Sequence, residues 1–132
     1  MIRWLGVFAA LALLAACTQL TPHDIVFEDA AHQQQLRTIQ THFFVVDDRI
    51  KTMRAIIVTL QDLEFVINQA DSLLGFISAT RLSGYHLDIS VLVDDSDPSQ
   101  MLVRASFAAG LQPVQNTSYQ EFFASLQKNL TP

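Results

Sequence analysis

Leu87-Asp88-Ile89-Ser90-Val91-Leu92-Val93, with Met101-Leu102-Val103-Arg104-Ala105-Ser106-Phe107-Ala108 after it, decides the fold class. In the first run Leu87, Ile89, Val91 and Val93 alternate with His86, Asp88, Ser90 and Leu92. In the second, Met101, Val103, Ala105 and Phe107 alternate with Leu102, Arg104, Ser106 and Ala108. A strand turns successive side chains to opposite faces, so a period of two predicts strands with one apolar face. The acidic loop Asp94-Asp95-Ser96-Asp97-Pro98-Ser99 joins them.

Toward the N-terminus, Ser83-Gly84 makes a turn, Phe76–Arg81 reads as a strand, and Ala70–Gly75 turns back to a partner strand beginning at Phe65-Val66-Ile67. Earlier, Ile39, Thr41, Phe43 and Val45 alternate with Thr38, Gln40, His42 and Phe44, which predicts another strand. Asp47-Asp48 interrupts it and supplies a helix cap. Over Arg49–Glu64, Ile50, Met53, Ile57 and Leu60 recur at steps of three and four, flanked by Ile56 and Leu63, the spacing of an amphipathic helix. At the other end, Gly110 to Thr117 is a loop holding Pro113. Ser118-Tyr119-Gln120-Glu121 has the form of a capping box, and Tyr119, Phe122, Phe123, Leu126 and Leu130 make one helical stripe. The order β-α-β-β-β-β-α predicts an α+β fold: a two-layer sandwich in which two helices cover an antiparallel sheet of four or five strands.

Composition narrows the class. Half of the 132 residues are apolar and 16% are charged, too apolar for a disordered chain. Thirteen acidic against eight basic side chains leave a net charge of −5, the wrong sign for electrostatic nucleic-acid binding. A single cysteine excludes an internal disulfide and a cysteine-based zinc site.

That cysteine ends the most informative segment for location. Arg3 is the only early charge, Trp4 to Leu14 is apolar, and Ala15-Ala16-Cys17 follows, the parts of a secretory signal peptide. At about 1.5 Å per residue, Trp4 to Ala16 covers roughly 20 Å, short of the ~30 Å of a bilayer's hydrocarbon layer. Leu14-Ala15-Ala16-Cys17 resembles the lipobox of bacterial lipoproteins. The resemblance implies cleavage between Ala16 and Cys17, a diacylglycerol on the Cys17 sulfur, and acylation (a palmitate-type chain) of the new amine. One acyl chain binds membranes only marginally, whereas two or three on one residue hold a protein permanently. Thr18 stands where an aspartate would signal inner-membrane retention in enterobacterial lipoproteins, so the expected location is the outer membrane, facing the periplasm. The expected organisation is a signal peptide over 1–16, a lipidated cysteine and polar tether over 17–36, and one domain over 37–132. A short helix over Glu28–Leu36 is the alternative for the tether.

Leu60-Gln61-Asp62-Leu63-Glu64-Phe65, then Ile67, Ala70-Asp71 and Leu74-Gly75, resembles a segment of a family of small proteobacterial lipoproteins. That family pairs it with a motif of the type Tyr119-Gln120-Glu121-Phe122-Phe123, also present here. The resemblance spans most of residues 37–130 and implies a periplasmic lipoprotein domain without an assigned activity. One position departs: the family has glycine where this chain has Glu64. Glycine there would close the helix in a left-handed cap, and glutamate makes that geometry costlier, so a different helix end is expected. At the level of architecture alone, helices over an antiparallel sheet resemble domains of outer-membrane assembly lipoproteins, an analogy that carries no function.

Few residues suggest chemistry. His23, His32, His42 and His86 are too far apart for an i, i+4 metal pair. His86 and Asp88 share one side of a strand, and a carboxylate orienting an imidazole is how many catalytic and metal sites begin, yet no nucleophile or third ligand lies near them in sequence. Asp94-Asp95-Ser96-Asp97 has the hard oxygens calcium prefers. An EF-hand beginning there would need glycine and glutamate where the chain has Ser99 and Ala105, so a solvated turn is expected. Asn116-Thr117-Ser118 fits the glycosylation triplet, with Ser118 better used as a cap. No cofactor and no metal are expected.

The expected function is a non-enzymatic module: a membrane-anchored periplasmic lipoprotein that binds another envelope protein. Its partner surface would be the outer side of the Tyr119, Phe122, Phe123 stripe, were that side exposed. The alternative is a small-ligand carrier or small enzyme with a pocket between sheet and helices near His86 and Asp88.

Overall fold

The computed structural model describes residues 22–111 and 114–131. The expected signal peptide and lipobox, with Cys17 and Thr18, therefore lie outside the described residues, as does Pro113 of the last loop. The elements run α1 (Pro22–Gln40), β1 (Thr41–Phe44), α2 (Arg49–Asp62), β2 (Val66–Asp71), β3 (Phe76–Arg81), β4 (Leu87–Asp94), β5 (Met101–Ala108) and α3 (Asn116–Leu130). The chain divides into two units, Met1–Gln33 and Gln34–Pro132, and the sheet, α2 and α3 belong to the second. No described helix is long and apolar enough to cross a membrane.

Five strands form one antiparallel sheet in the order β1-β5-β4-β3-β2, the α+β class expected. Its helix-facing side carries the residues picked out by the period of two. Ile77 pairs with Val91, Ala79 with Ile89, Ile89 with Phe107 and Val93 with Val103, all of them buried. The other side carries Ser78, Ser90 and Ser106 in one row and Thr80 beside Asp88 in the next. The helices cover the face with the unbroken apolar alternation, while the other face mixes serine, threonine and charged residues with Phe43, Leu92 and Leu102.

α1 departs from expectation. The segment assigned to a tether and then to a strand from Arg37 is helical from Pro22 through Gln40, which bears out and extends the alternative helix over Glu28–Leu36, and the strand shrinks to Thr41–Phe44. The cause is intrinsic propensity without amphipathic spacing. Pro22 suits a first helical position, Ala30-Ala31 and Gln33-Gln34-Gln35 are good helix formers, and Arg37 in the last turn suits the dipole. A search for apolar periodicity passes over such a helix.

α2 starts where Asp48 caps it, its carboxylate accepting the Lys51 backbone N–H at 3.1 Å. Its buried face is rotated from the expected stripe: Ile50 is 46% exposed, while Thr52, Met53, Ala55, Ile56, Thr59 and Leu60 are buried. Threonine is tolerated there because its hydroxyl bonds the helix itself, Thr52 to the Asp48 carbonyl at 2.9 Å and Thr59 to the Ala55 carbonyl at 2.7 Å. The Asn129 amide then donates to Thr59 Oγ1 at 2.8 Å, pinning α3 to α2. Arg49 fastens the helix start to two loops. It donates to the Leu73 carbonyl at 2.8 Å and pairs in a fork with the Asp95 carboxylate, one arm at 3.0 Å.

The helix ends as a glycine at this position would end it, contrary to the expectation from Glu64. Glu64 adopts φ 68°. The Phe65 N–H bonds the Leu60 carbonyl at 2.8 Å and the Glu64 N–H bonds the Gln61 carbonyl at 3.0 Å, the pair of bonds of a Schellman cap. Buried Phe65, which must reach the core, holds the turn in place although glutamate is strained there.

α3 corrects two expectations. Ser118 is not its cap: the helix begins at Asn116 after Gln115, whose side chain makes no capping bond, so Ser118 and Glu121 sit inside the first turns. The proposed partner surface is interior: Tyr119, Phe122 and Phe123 are all buried, Phe122 completely, and Phe122 meets Phe107 and Phe123 edge-on. An aromatic stripe at helical spacing on the last helix of a small sandwich is core, because the sheet offers too much apolar area for α2 to cover alone.

Candidate functional site

β1 is the edge of the sheet beside α3, and a groove of about 520 Å³ runs between them. Its floor is set by the alternation in Thr41-His42-Phe43-Phe44. Phe44 is buried toward the helices and His42 points the same way, while Phe43, on the opposite face, is 59% exposed. The His42 imidazole stacks on Phe123 with centroids 4.0 Å apart, and Phe44 stacks behind both at 6.2 and 6.5 Å. From α3 the groove takes Tyr119 and Phe123 as wall, with Gln120, Ala124 and Gln127 toward solvent; Thr38 and Ile39 of α1 close one end.

Tyr119 fixes that wall. Its hydroxyl accepts the Phe107 backbone N–H at 3.1 Å and the Gln40 side-chain amide at 3.3 Å. β1 pairs with β5 only as far as Arg104, so the phenol satisfies a strand N–H just past the end of that pairing. Partial burial lowers the His42 pKa from its ordinary value, favouring the neutral ring. No residue lining the groove carries a formal charge at neutral pH. The exposed His42 ring over buried Phe123, a small alanine and a rim of amides suit noncovalent contact with an uncharged, partly apolar segment.

The residues singled out from sequence are not brought here, apart from Tyr119 and Phe123. His86 Nε2 and Asp88 Oδ2 are 3.0 Å apart, as their spacing suggested, on the uncovered sheet face with side chains 58% and 51% exposed. Asp88 titrates below the usual carboxylate range chiefly because the Thr80 hydroxyl donates to it at 2.8 Å, and secondarily because of His86. Thr80 in turn accepts from Asn68 at 2.7 Å, a polar row across three strands. Behind this pair, on the helix side of the same strand, Leu87, Ile89, Val91 and Val93 are buried, and a space of about 10 Å³ lies beside Leu87, lined also by Phe65, Arg81 and Phe107.

The acidic loop is a set of turns. Asp94 accepts the Ser96 N–H and Asp97 the Ser99 N–H, both at 2.9 Å, while Asp95 is taken by Arg49. Each carboxylate is held below its ordinary pKa, Asp94 by the Ser96 amide, Asp95 by Arg49 and Asp97 by the Ser99 amide. Among the described residues no three His, Cys, Asp or Glu side chains gather as a metal site would require.

Sequence inspection passed over His42 because it weighed histidines by spacing alone. The available signal was its place between Thr41 and Phe43-Phe44, where period two sets it beside Phe44 on the helix side. No family model matches the chain, and no curated protein matches it significantly.

Proposed function

We propose that the protein is a lipid-anchored periplasmic module of the bacterial envelope, most fittingly of the outer membrane, that binds another envelope protein without catalysing a reaction. The lipobox-like Leu14-Ala15-Ala16-Cys17 supports the anchor. The observation that carries the binding role is the uncharged groove between the sheet edge β1 and α3, with His42 and Phe123 stacked in its wall. A groove of this size, presenting the His42 ring, Ile39, Ala124 and amides over buried aromatic rings, offers apolar contact and hydrogen bonding together. The exposed His86–Asp88 pair, on open sheet surface, serves the polar face of the strand.

Two measurements test the two halves. Mass spectrometry of the mature protein should find an acylated Cys17 at the N-terminus, and Cys17→Ser should move the chain from the membrane to the soluble fraction. A photocrosslinker at Gln120 should capture one reproducible envelope protein in cells, and the same crosslinker at Ser90, on the uncovered face, should not. Unchanged partitioning of Cys17→Ser removes the anchor, and indiscriminate capture at both positions removes the groove as the binding surface.

A further inference from the structure

We propose that the groove and the free edge of β1 together accept one extended segment of the partner as a sixth strand, with its alternate apolar side chains entering between β1 and α3. The inference deepens the binding role proposed above and rests on it. Among the described residues β1 ends the sheet and pairs only with β5, so every second backbone N–H and C=O along its four residues faces away from the sheet. The opposite edge, β2, is blunted by a register shift between Ile67 and Gln69. Thr41–Phe44 has no charge, proline or bulge to protect it, and Val45 beyond it is 94% exposed. A strand laid beside β1 presents every second side chain to the helix layer. There the groove lies open between His42, with buried Phe44 beneath, on one side and Gln120, Ala124 and Gln127 on the other.

Charge states what the segment should be. Its middle is uncharged, because the groove is. Asp47 lines a second concavity, with Val45, Val46 and Ser99, at one end of the edge. Arg37 lies exposed in the last turn of α1 at the other. A basic residue over Asp47 and an acidic one near Arg37 complete the match. A second copy of this chain is a poorer occupant: on the helix side of its β1, Phe44 is buried and His42 is stacked on its own Phe123, while exposed Phe43 points to the other face.

The test uses full-length protein in detergent and two fluorescent peptides, acetyl-Lys-Thr-Leu-Thr-Leu-Thr-Glu and the same sequence with its end charges exchanged. Fluorescence polarisation should show saturable binding, with one polarity favoured about threefold, and Asp47→Asn should erase that preference. N-methylating one set of alternate peptide nitrogens should weaken binding tenfold or more, while methylating the other set should leave it, the signature of strand pairing. Ala124→Trp, an exposed position, should block the groove with the thermal midpoint retained; Gln127→Trp provides a second block. Equal effects of both methylation patterns, or binding indifferent to both tryptophan variants, would overturn strand addition, as would absence of binding up to millimolar peptide. Self-association of the chain that Ala124→Trp abolishes would assign the edge to a second copy and equally overturn it. None of these readouts depends on the anchor, and the Gln120 crosslink bears on partner binding irrespective of strand geometry.

Discussion

The imidazole of His42 lies flat on the ring of Phe123, with centroids 4.0 Å apart and planes 11° from parallel. The contact ties the edge strand β1 to α3 and forms a wall of the groove. It also couples the wall to protonation. Burial holds the His42 pKa below its unfolded value, so folding favours the neutral ring. The unfolded chain then binds more protons than the native state in a window reaching down from about pH 6.5, and stability is lost as pH falls through it.

His42→Phe keeps a stacked ring and removes the titration. The difference in urea midpoint between variant and wild type should therefore widen in favour of the variant from pH 7.5 to pH 5. A constant difference across that range would show that His42 does not sense pH.

Glu64 is the only described residue other than glycine with positive φ. Its side chain accepts a bond from the Ser83 hydroxyl at 3.2 Å, a small exposed compensation. Glu64→Gly should raise stability by about 1 kcal/mol in chemical denaturation, because the left-handed conformation costs roughly that much for a residue with a Cβ. Loss of stability would mean that the Ser83 contact outweighs backbone strain.

Gly75 has the opposite sensitivity. It sits at φ 68°, its carbonyl accepts the Val93 N–H at 2.7 Å, and a Cβ there would stand 2.5 Å from the Val93 carbonyl oxygen. Gly75→Ala should cost about 2–4 kcal/mol, backbone strain and overpacking together. Gly84→Ala, at φ 81° in open space, should cost only about 1 kcal/mol. Similar thermal shifts for the two would show that the close approach to β4 relaxes freely.

Leu87, Ile89, Val91 and Val93 announced their strand and its buried face because the strand period is a local property of the chain. Asp48 announced its cap for the same reason, since a cap reaches only three residues ahead. α1 was legible only as the alternative helix over Glu28–Leu36, and not in its full length Pro22–Gln40, because its residues favour helix without striping it. The groove was hidden because His42 and Phe123 are 81 positions apart and meet only when the edge strand and the last helix are laid side by side.

The sequence by itself determined the antiparallel sheet, its apolar face and the two helices that cover it, since each follows from the spacing of side chains a few residues apart. Only the tertiary structure decided that Tyr119, Phe122 and Phe123 are core, that Glu64 bends as glycine would, and that β1 and β2 are the two edges of the sheet. Those outcomes depend on which elements compete for the same buried surface, and that competition is settled between distant parts of the chain.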